Sequence, residues 1–246
     1  MGYERPPGVG QGAGPEPLPV ATSGVVQGDV VPSVAVRLQI LSTEHWSLLA
    51  SRSLAWNESF SRAAMFLSTV TGAIVALALV AQASEFGQGF RLFALVVLPV
   101  VLFIGVGTVL RIGESNYHDA MCVIGMNRIR AGYLEIAPEL ERFFVTGVHD
   151  DRRGMLRTMA IDLDRPYVTH LIAATPMMIS TLNSILLGAI AALLAIELGA
   201  PNAAAVGIAA VAFLLGWLLH MWYARRAIAR GPATWEPLFP TPRPNE

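Results

Sequence analysis

The chain has 246 residues, of which 54% are hydrophobic and only 14% are charged. Soluble domains carry about a quarter charged residues, so this composition excludes an ordinary soluble enzyme and favours an integral membrane protein. The formal net charge of −1 gives no basic excess for binding nucleic acid. The single cysteine, Cys122, excludes an intrachain disulfide and any multi-cysteine metal centre.

The N-terminal part of the chain divides into two segments. Residues 1–34 are rich in proline and glycine and are predicted to form a disordered tail. Residues 35–62 contain neither residue type and place leucines and Trp56 at helical spacing, which predicts a cytoplasmic helix that leads directly into the membrane. This helix either packs in a bundle or lies on the membrane surface. Its few arginines favour the bundle.

Four uncharged apolar runs follow along the chain. They cover residues 63–83, 92–110, 171–196 and 203–223. A helix needs about 20 apolar residues to cross the hydrocarbon core of a bilayer. Each run therefore predicts a transmembrane helix, and the whole chain is predicted to be an all-α integral membrane protein.

The connections between the runs predict two hairpins with helical cytoplasmic extensions. The links within each hairpin are short, whereas the link between the hairpins is long and rich in charge. The predicted segments after the first cytoplasmic helix are a membrane hairpin at 63–112, a cytoplasmic helical segment at 113–170, a second hairpin at 171–223 and a proline-rich cytoplasmic tail at 224–246 with a flexible end from 231.

Arginine positions predict how the chain is oriented. Sixteen of the 17 arginines lie on one side of the predicted spans, and only Arg91 lies on the other. Positively charged residues are retained in the cytoplasm, which predicts an inner-membrane protein with both termini cytoplasmic. His220, near the inner end of the fourth run, is interpreted as an interfacial anchor, with proton handling as the alternative.

A polar patch interrupts the third apolar run. Ser180, Asn183 and Ser184 are predicted to face protein, where they form hydrogen bonds between helices or line a narrow pore. Small residues four apart, Ser180, Ser184, Gly188 and Ala192, predict close packing against another helix. This row is one reason to expect a homo-oligomer in the lipid bilayer.

Histidine and aspartate pairs raise the possibility of a metal site. His118, Asp119, His149 and Asp150 are residue types that bind zinc, manganese or iron, and a membrane-tethered metal-dependent enzyme would use them. Adjacent histidine and aspartate side chains on a helix point about 100° apart, so they cannot both face one ion without partners elsewhere. Residues 149–151 lie where a solvated polar turn is expected, and Asp150 or Asp151 would cap the next helix. No catalytic, cofactor-binding or metal-binding residue is assigned.

Three stretches resemble segments of uncharacterised four-helix membrane proteins of high-GC bacteria. They are Glu-His-Trp-Ser-Leu-Leu-Ala-Ser-Arg at 44–52, Trp-Asn-Glu at 56–58, and Met-Asn-Arg-Ile-Arg-Ala-Gly-Tyr-Leu at 126–134. The resemblance covers about 35–230 and implies no activity. The layout is also similar to small membrane effectors of bacterial nucleotide-signalled defence, in architecture alone.

These observations lead to three functional hypotheses. The first is a non-enzymatic, self-associating membrane protein that acts as a scaffold, regulator or signal-gated effector. The second is a channel or small transporter lined by the third membrane helix. The third is the metal-dependent enzyme.

Overall fold

The computed structural model describes residues 32–161, 175–230 and 236–242, with the side chains of 228–230 excepted. Every regular element in these ranges is a helix, which confirms the all-helical prediction. The elements are α1 (Val34–Ser84), α2 (Gln88–Ile136), a 3₁₀ helix (Pro138–Phe143), α3 (Arg152–Thr158), α4 (Thr175–Glu197) and α5 (Asn202–Arg230). The tail predicted at 1–34 falls outside the described residues except for its last three.

Four of these helices are long and apolar enough to cross a membrane. They are α1, α2, α4 and the part of α5 up to Ala227, so the described residues of each predicted apolar run lie in a helix of their own. Large apolar side chains along the runs are exposed, among them Phe103 and Leu219. Such a surface is suited to contact with lipid rather than with water.

α1 continues without interruption from Val34 to Ser84, so the predicted cytoplasmic helix and the first span form one element. α1 has no break between these two parts. α2 is similarly continuous and ends at Ile136, next to Pro138. Pro138 favours an end here because proline lacks an N–H group and clashes with the preceding turn, although α2 accommodates Pro99 within its apolar run.

α1 packs against α2 in the opposite chain direction. Leu41 contacts the helix surface at Gly132, and Leu48 contacts it at Gly125. Further along, the Ser115 hydroxyl donates a 2.9 Å hydrogen bond to the Ala55 carbonyl. Residue numbers rise along α1 as they fall along α2, so the two helices are antiparallel from their arginine-rich ends onward.

Small residues bring α4 close to its neighbours. A β-carbon at Gly188 would lie 2.9 Å from the Ala209 carbonyl oxygen of α5. Ser184 of α4 faces Gly216 of α5. The row of small residues on α4 therefore packs against α5 within one chain, and this packing does not require a second copy.

Two apolar clusters form the core. The first lies within the spans and includes Phe66, Val101, Ile112 and Ile179 of α1, α2 and α4. The second lies beyond them, where Val123, Ile124 and Met126 of α2 pack against Met155 of α3. The second cluster fixes α3 beside α2 and builds one wall of the cavity described next.

Candidate ligand cavity and buried polar groups

A cavity of about 600 Å³ lies where the arginine-rich ends of all four candidate spans meet. α1 contributes Phe60, α2 Ile112, α4 Met177, α5 Tyr223 and α3 Met155. The volume falls in the range of small-molecule sites, which is about 300 to 1,000 Å³. Since every span reaches this cavity from the same end, its walls are positioned by the packing of the whole bundle.

The apolar walls of the cavity are rich in methionine. The methionines in its lining are Met121, Met155, Met159, Met177 and Met221. Methionine is unbranched and polarisable, and it adapts to apolar ligands of different shapes. The walls therefore suit a flexible hydrophobic group rather than a rigid polar one.

Asp119 is the buried charge in the cavity lining. Its side chain is 5% exposed, and its Oδ1 accepts a 2.6 Å hydrogen bond from Arg52 Nε and a 3.0 Å bond from Trp56 Nε1. A charge this deeply buried is retained only with compensating donors, which Arg52 and Trp56 supply.

Other polar groups lie along the same lining. His220 lines the cavity, and its Nδ1 lies 2.7 Å from the Gly216 carbonyl oxygen of its own helix. Arg152 of α3 is exposed at the edge of the cavity and has no ion pair within the described ranges. The cavity thus combines apolar walls with a buried carboxylate and an exposed cation.

The structure places the predicted patch of Ser180, Asn183 and Ser184 in the protein interior, with exposures of 6%, 0% and 0%. The Ser184 hydroxyl donates to the Ser180 carbonyl within α4. Both amide atoms of Asn183 lack a hydrogen-bond partner among the described residues. The hydrogen bonds between helices expected of this patch are therefore not formed by Asn183 or by the Ser184 hydroxyl.

The space for Asn183 comes from Gly105 on α2. A β-carbon at Gly105 would overlap the Asn183 amide oxygen and lie 2.6 Å from the ring of Phe66. Ser180, one turn away on α4, lines the cavity. Asn183 is therefore an unpaired amide one turn beyond the cavity and within the apolar run.

The four residues of the metal hypothesis do not come together. His118 Nε2 lies 3.6 Å from Cys122 Sγ, whereas Asp119 is engaged by Arg52. Asp150 pairs with Arg128 at 2.6 Å. In the described part of the chain no group of three His, Cys, Asp or Glu side chains could hold one metal ion. The aspartates here serve ion pairs and hydrogen bonds.

Asp151 caps α3, as predicted for one of the two aspartates. Its Oδ1 accepts a 2.8 Å hydrogen bond from the Gly154 N–H in the first turn of the helix. Asp150, however, is 1% exposed, so the solvated turn predicted here is wrong for that residue. α3 ends at Thr158.

Residues 236–242, which we call the tail segment, explain why Asp150 is buried. The Leu238 and Phe239 N–H groups donate to its two carboxylate oxygens at 2.9 and 2.8 Å. The Thr241 N–H and hydroxyl donate to Asp151 at 3.2 and 2.8 Å. The flexible end predicted from residue 231 is thus held over this stretch, 88 to 90 positions from its partners along the chain.

The acidity of both aspartates reflects these bonds. Burial raises the pKa of Asp150, but hydrogen bonds from Leu238, Arg128 and Phe239 outweigh it and hold the pKa below its usual value. Burial also raises the pKa of Asp151. The hydrogen bonds from Gly154 and Thr241 outweigh this effect, so the pKa of Asp151 is also below its usual value. Both side chains therefore remain carboxylates at neutral pH and accept bonds from the tail segment.

At the opposite end of the spans, Arg91 of α2 forms an ion pair with Glu197 of α4. Arg91 is the one arginine that the sequence places on this side. The pair connects the first two candidate spans to the last two. Its two residues are 106 positions apart, so no local sequence pattern predicts the contact.

No protein-family model, curated protein or solved structure matches this chain.

Proposed function

We propose that this chain is a multi-pass inner-membrane regulator or signal-gated effector that binds an amphipathic ligand in its cavity. The spans form two hairpins whose arginine-rich ends, helical extensions and termini are cytoplasmic. The observation that carries the proposal is the cavity of about 600 Å³ at the meeting point of all four candidate spans. No catalytic group is needed for this function.

The chemistry of the cavity favours an amphipathic occupant. Its methionine-rich walls accept an apolar chain, and Arg152 and Asp119 offer charge and hydrogen bonding for a polar end. Residues on both sides of the predicted membrane boundary line it, from Ser180 within a span to Leu156 beyond the spans. A lipid-like molecule in the inner leaflet has apolar surroundings at one end and polar surroundings at the other. The cavity offers the same arrangement.

Two glycines of α2 provide a matched test of ligand binding. Gly113 lines the cavity, and a β-carbon there is 3.7 Å from the Tyr223 hydroxyl. Gly107 has nothing within 4 Å of such a carbon. Gly113→Leu is expected to fill part of the cavity and weaken binding about tenfold or more, whereas Gly107→Leu leaves binding unchanged.

A brominated fatty acid added to protein in nanodiscs is a suitable probe, because Trp56 lies in the lining and its fluorescence is quenched by bromine. Trp56→Phe gives the part of the quenching that comes from the other tryptophans. Saturable quenching that Gly113→Leu removes supports the proposal. Quenching that is equal in the two glycine variants contradicts it.

The orientation can be tested separately. Single cysteines at positions 88, 150 and 200 are introduced after Cys122→Ala. An impermeant maleimide added outside intact cells is expected to label positions 88 and 200 but not 150. Labelling of position 150 from outside would overturn the cytoplasmic assignment.

Self-association is also part of the proposal, through a surface other than the small-residue row of α4. Trp46 and Leu54 of α1 are 68% and 70% exposed and lie outside the apolar runs. Exposed apolar side chains of this size favour contact with another protein surface. Crosslinking in native membranes should yield a dimer or larger species that Trp46→Glu reduces and Leu194→Glu, on the exposed side of α4, does not.

A channel or transporter is the second candidate, because the unpaired Asn183 amide lies one turn from Ser180 in the cavity lining. Ion flux in liposomes that Asn183→Val abolishes would favour it. Liposomes without flux above an empty control would leave the ligand-binding function as the sole proposal.

A further inference from the structure

The tail segment lies in a site made of two adjacent carboxylates. Asp150 bonds to the N–H groups of Leu238 and Phe239, and its own N–H donates to the Phe239 carbonyl at 3.2 Å. Asp151 accepts both the backbone N–H and the hydroxyl of Thr241. These contacts recognise an extended backbone with a hydroxyl at one position, as in the binding of a short peptide.

Arg128 completes the site from α2. Its Nε lies 2.6 Å from Asp150 Oδ2, and its Nη2 donates a 2.8 Å bond to the Glu236 carbonyl. The guanidinium therefore holds both the receiving carboxylate and the start of the tail segment. If the segment left, these groups would be exposed to water. Water would replace the lost hydrogen-bond donors but would not hold the side chains in this fixed arrangement.

The sequence of the tail segment suits this site. Prolines at 237, 240 and 242 flank the residues whose N–H groups donate to the two aspartates. Proline fixes its own φ and favours extended conformations in the residue before it, so the segment loses less entropy on binding. The Leu238 side chain is 65% exposed, which leaves recognition to the backbone at that position.

The site also borders the proposed ligand cavity. Asp151 Oδ1 accepts bonds from both Gly154 in α3 and Thr241 in the tail segment. α3 then contributes Met155 and Leu156 to the cavity wall, and α5, which precedes the tail segment, contributes Tyr223. The tail segment therefore connects the helices of two walls.

We propose that Asp150, Asp151 and Arg128 form a recognition site for an extended, proline-bounded peptide segment, which the chain's own tail segment fills. Release of the segment removes a restraint on α3 and speeds exchange of the cavity ligand. This second part rests on the function proposed above, whereas the recognition site does not.

The recognition site is tested with a fluorescent peptide of residues 234–243 and full chains that lack residues 236–246. We expect the peptide to bind the shortened chain at least tenfold more tightly than the complete chain, whose site is filled. Asp150→Asn in the shortened chain should weaken binding at least tenfold. Equal binding to all three proteins would overturn the site.

Two altered peptides separate the backbone contact from hydrophobic attraction. Leu238→Pro removes the N–H that donates to Asp150, whereas Leu238→Ala keeps it. The first should bind at least tenfold more weakly than the unaltered peptide, and the second within about twofold. A Leu238→Pro peptide that binds as well as the unaltered one would contradict the proposed recognition.

The effect on the cavity is measured on complete chains carrying the same two substitutions. Release of the brominated fatty acid should be at least fivefold faster in Leu238→Pro than in Leu238→Ala or wild type. Equal release rates would overturn the coupling and leave the peptide site intact. If wild type binds no fatty acid, the coupling falls with the proposed function, while the peptide experiment still decides the recognition site.

Discussion

Asp119 and Asn183 are both buried polar side chains, but the structure treats them differently. Asp119, beyond the apolar runs, has an arginine and an indole N–H on one carboxylate oxygen. Asn183, within an apolar run, has no partner on either amide atom among the described residues and depends on a glycine for space. The contrast indicates that Asp119 holds helices together through bonds, whereas Asn183 is accommodated by shape.

The largest effect is expected where bonds are lost. Asp119→Ala leaves the Arg52 guanidinium without its carboxylate and should lower the free energy of unfolding by about 3 kcal/mol. This is the low end of the range for a broken buried pair, because Arg52 is 26% exposed and water screens it. Unfolding by sodium dodecyl sulfate in mixed micelles measures the change. Glu114→Ala, which removes an exposed ion pair with Arg111, is the control and should shift the midpoint little.

The next effect tests the packing at Asn183. Gly105→Ala inserts a β-carbon that overlaps the amide oxygen, and the strain should lower stability by about 1 to 3 kcal/mol. Gly107→Ala adds the same methyl group where nothing lies within 4 Å and should leave stability unchanged or raise it by up to about 1 kcal/mol, because alanine favours a helix more than glycine does. Similar losses in both variants would show that the contact with Asn183 does not cause the loss at Gly105.

A smaller effect of opposite sign is expected from removing the unpaired amide. Asn183→Val replaces two unsatisfied polar atoms with an apolar group and should raise the free energy of unfolding by about 1 kcal/mol. Ile185→Val on the exposed side of α4 is the control in the same assay. A clear loss of stability in Asn183→Val would reveal a hydrogen-bond partner, such as a bound water or a second chain.

The smallest effect over the physiological range concerns pH. The pKa of Asp150 is lowered in the folded chain, so its bonds contribute stability above the ordinary aspartate pKa and lose it as pH falls through the lowered value. The stability difference between wild type and Asp150→Asn should therefore be constant from pH 7 to about pH 5 and shrink below about pH 4. A difference that already shrinks near pH 6 would contradict the lowered pKa.

The four candidate spans could be predicted because their signal is local. Runs of about 20 uncharged apolar residues identify such helices without any knowledge of their neighbours. The end of α2 before Pro138 and the cap at Asp151 can also be predicted from the sequence, since each depends on residues within one turn. The burial of the polar patch followed from the cost of leaving polar groups against lipid.

The contacts that define the candidate site could not be read in this way. Arg52 and Asp119 are 67 positions apart, and Asp150 meets the tail segment 88 and 89 positions away. Only the packed structure shows that these charges have partners. The proline-rich composition near the C-terminus predicted a flexible end. That prediction missed the tail segment because composition does not show that Asp150 and Asp151 offer acceptors to its backbone.

The unbroken length of α1 has a mechanical consequence. Its part before Ala63 extends about 43 Å from the first span at 1.5 Å per residue, and one continuous helix joins the two. A change of about 10° in the tilt of the span would displace Val34 by about 7 Å. Trp56 and Phe60 of α1 border the cavity within two turns of Ala63, so a small repacking beside them becomes a displacement of several ångströms at Val34.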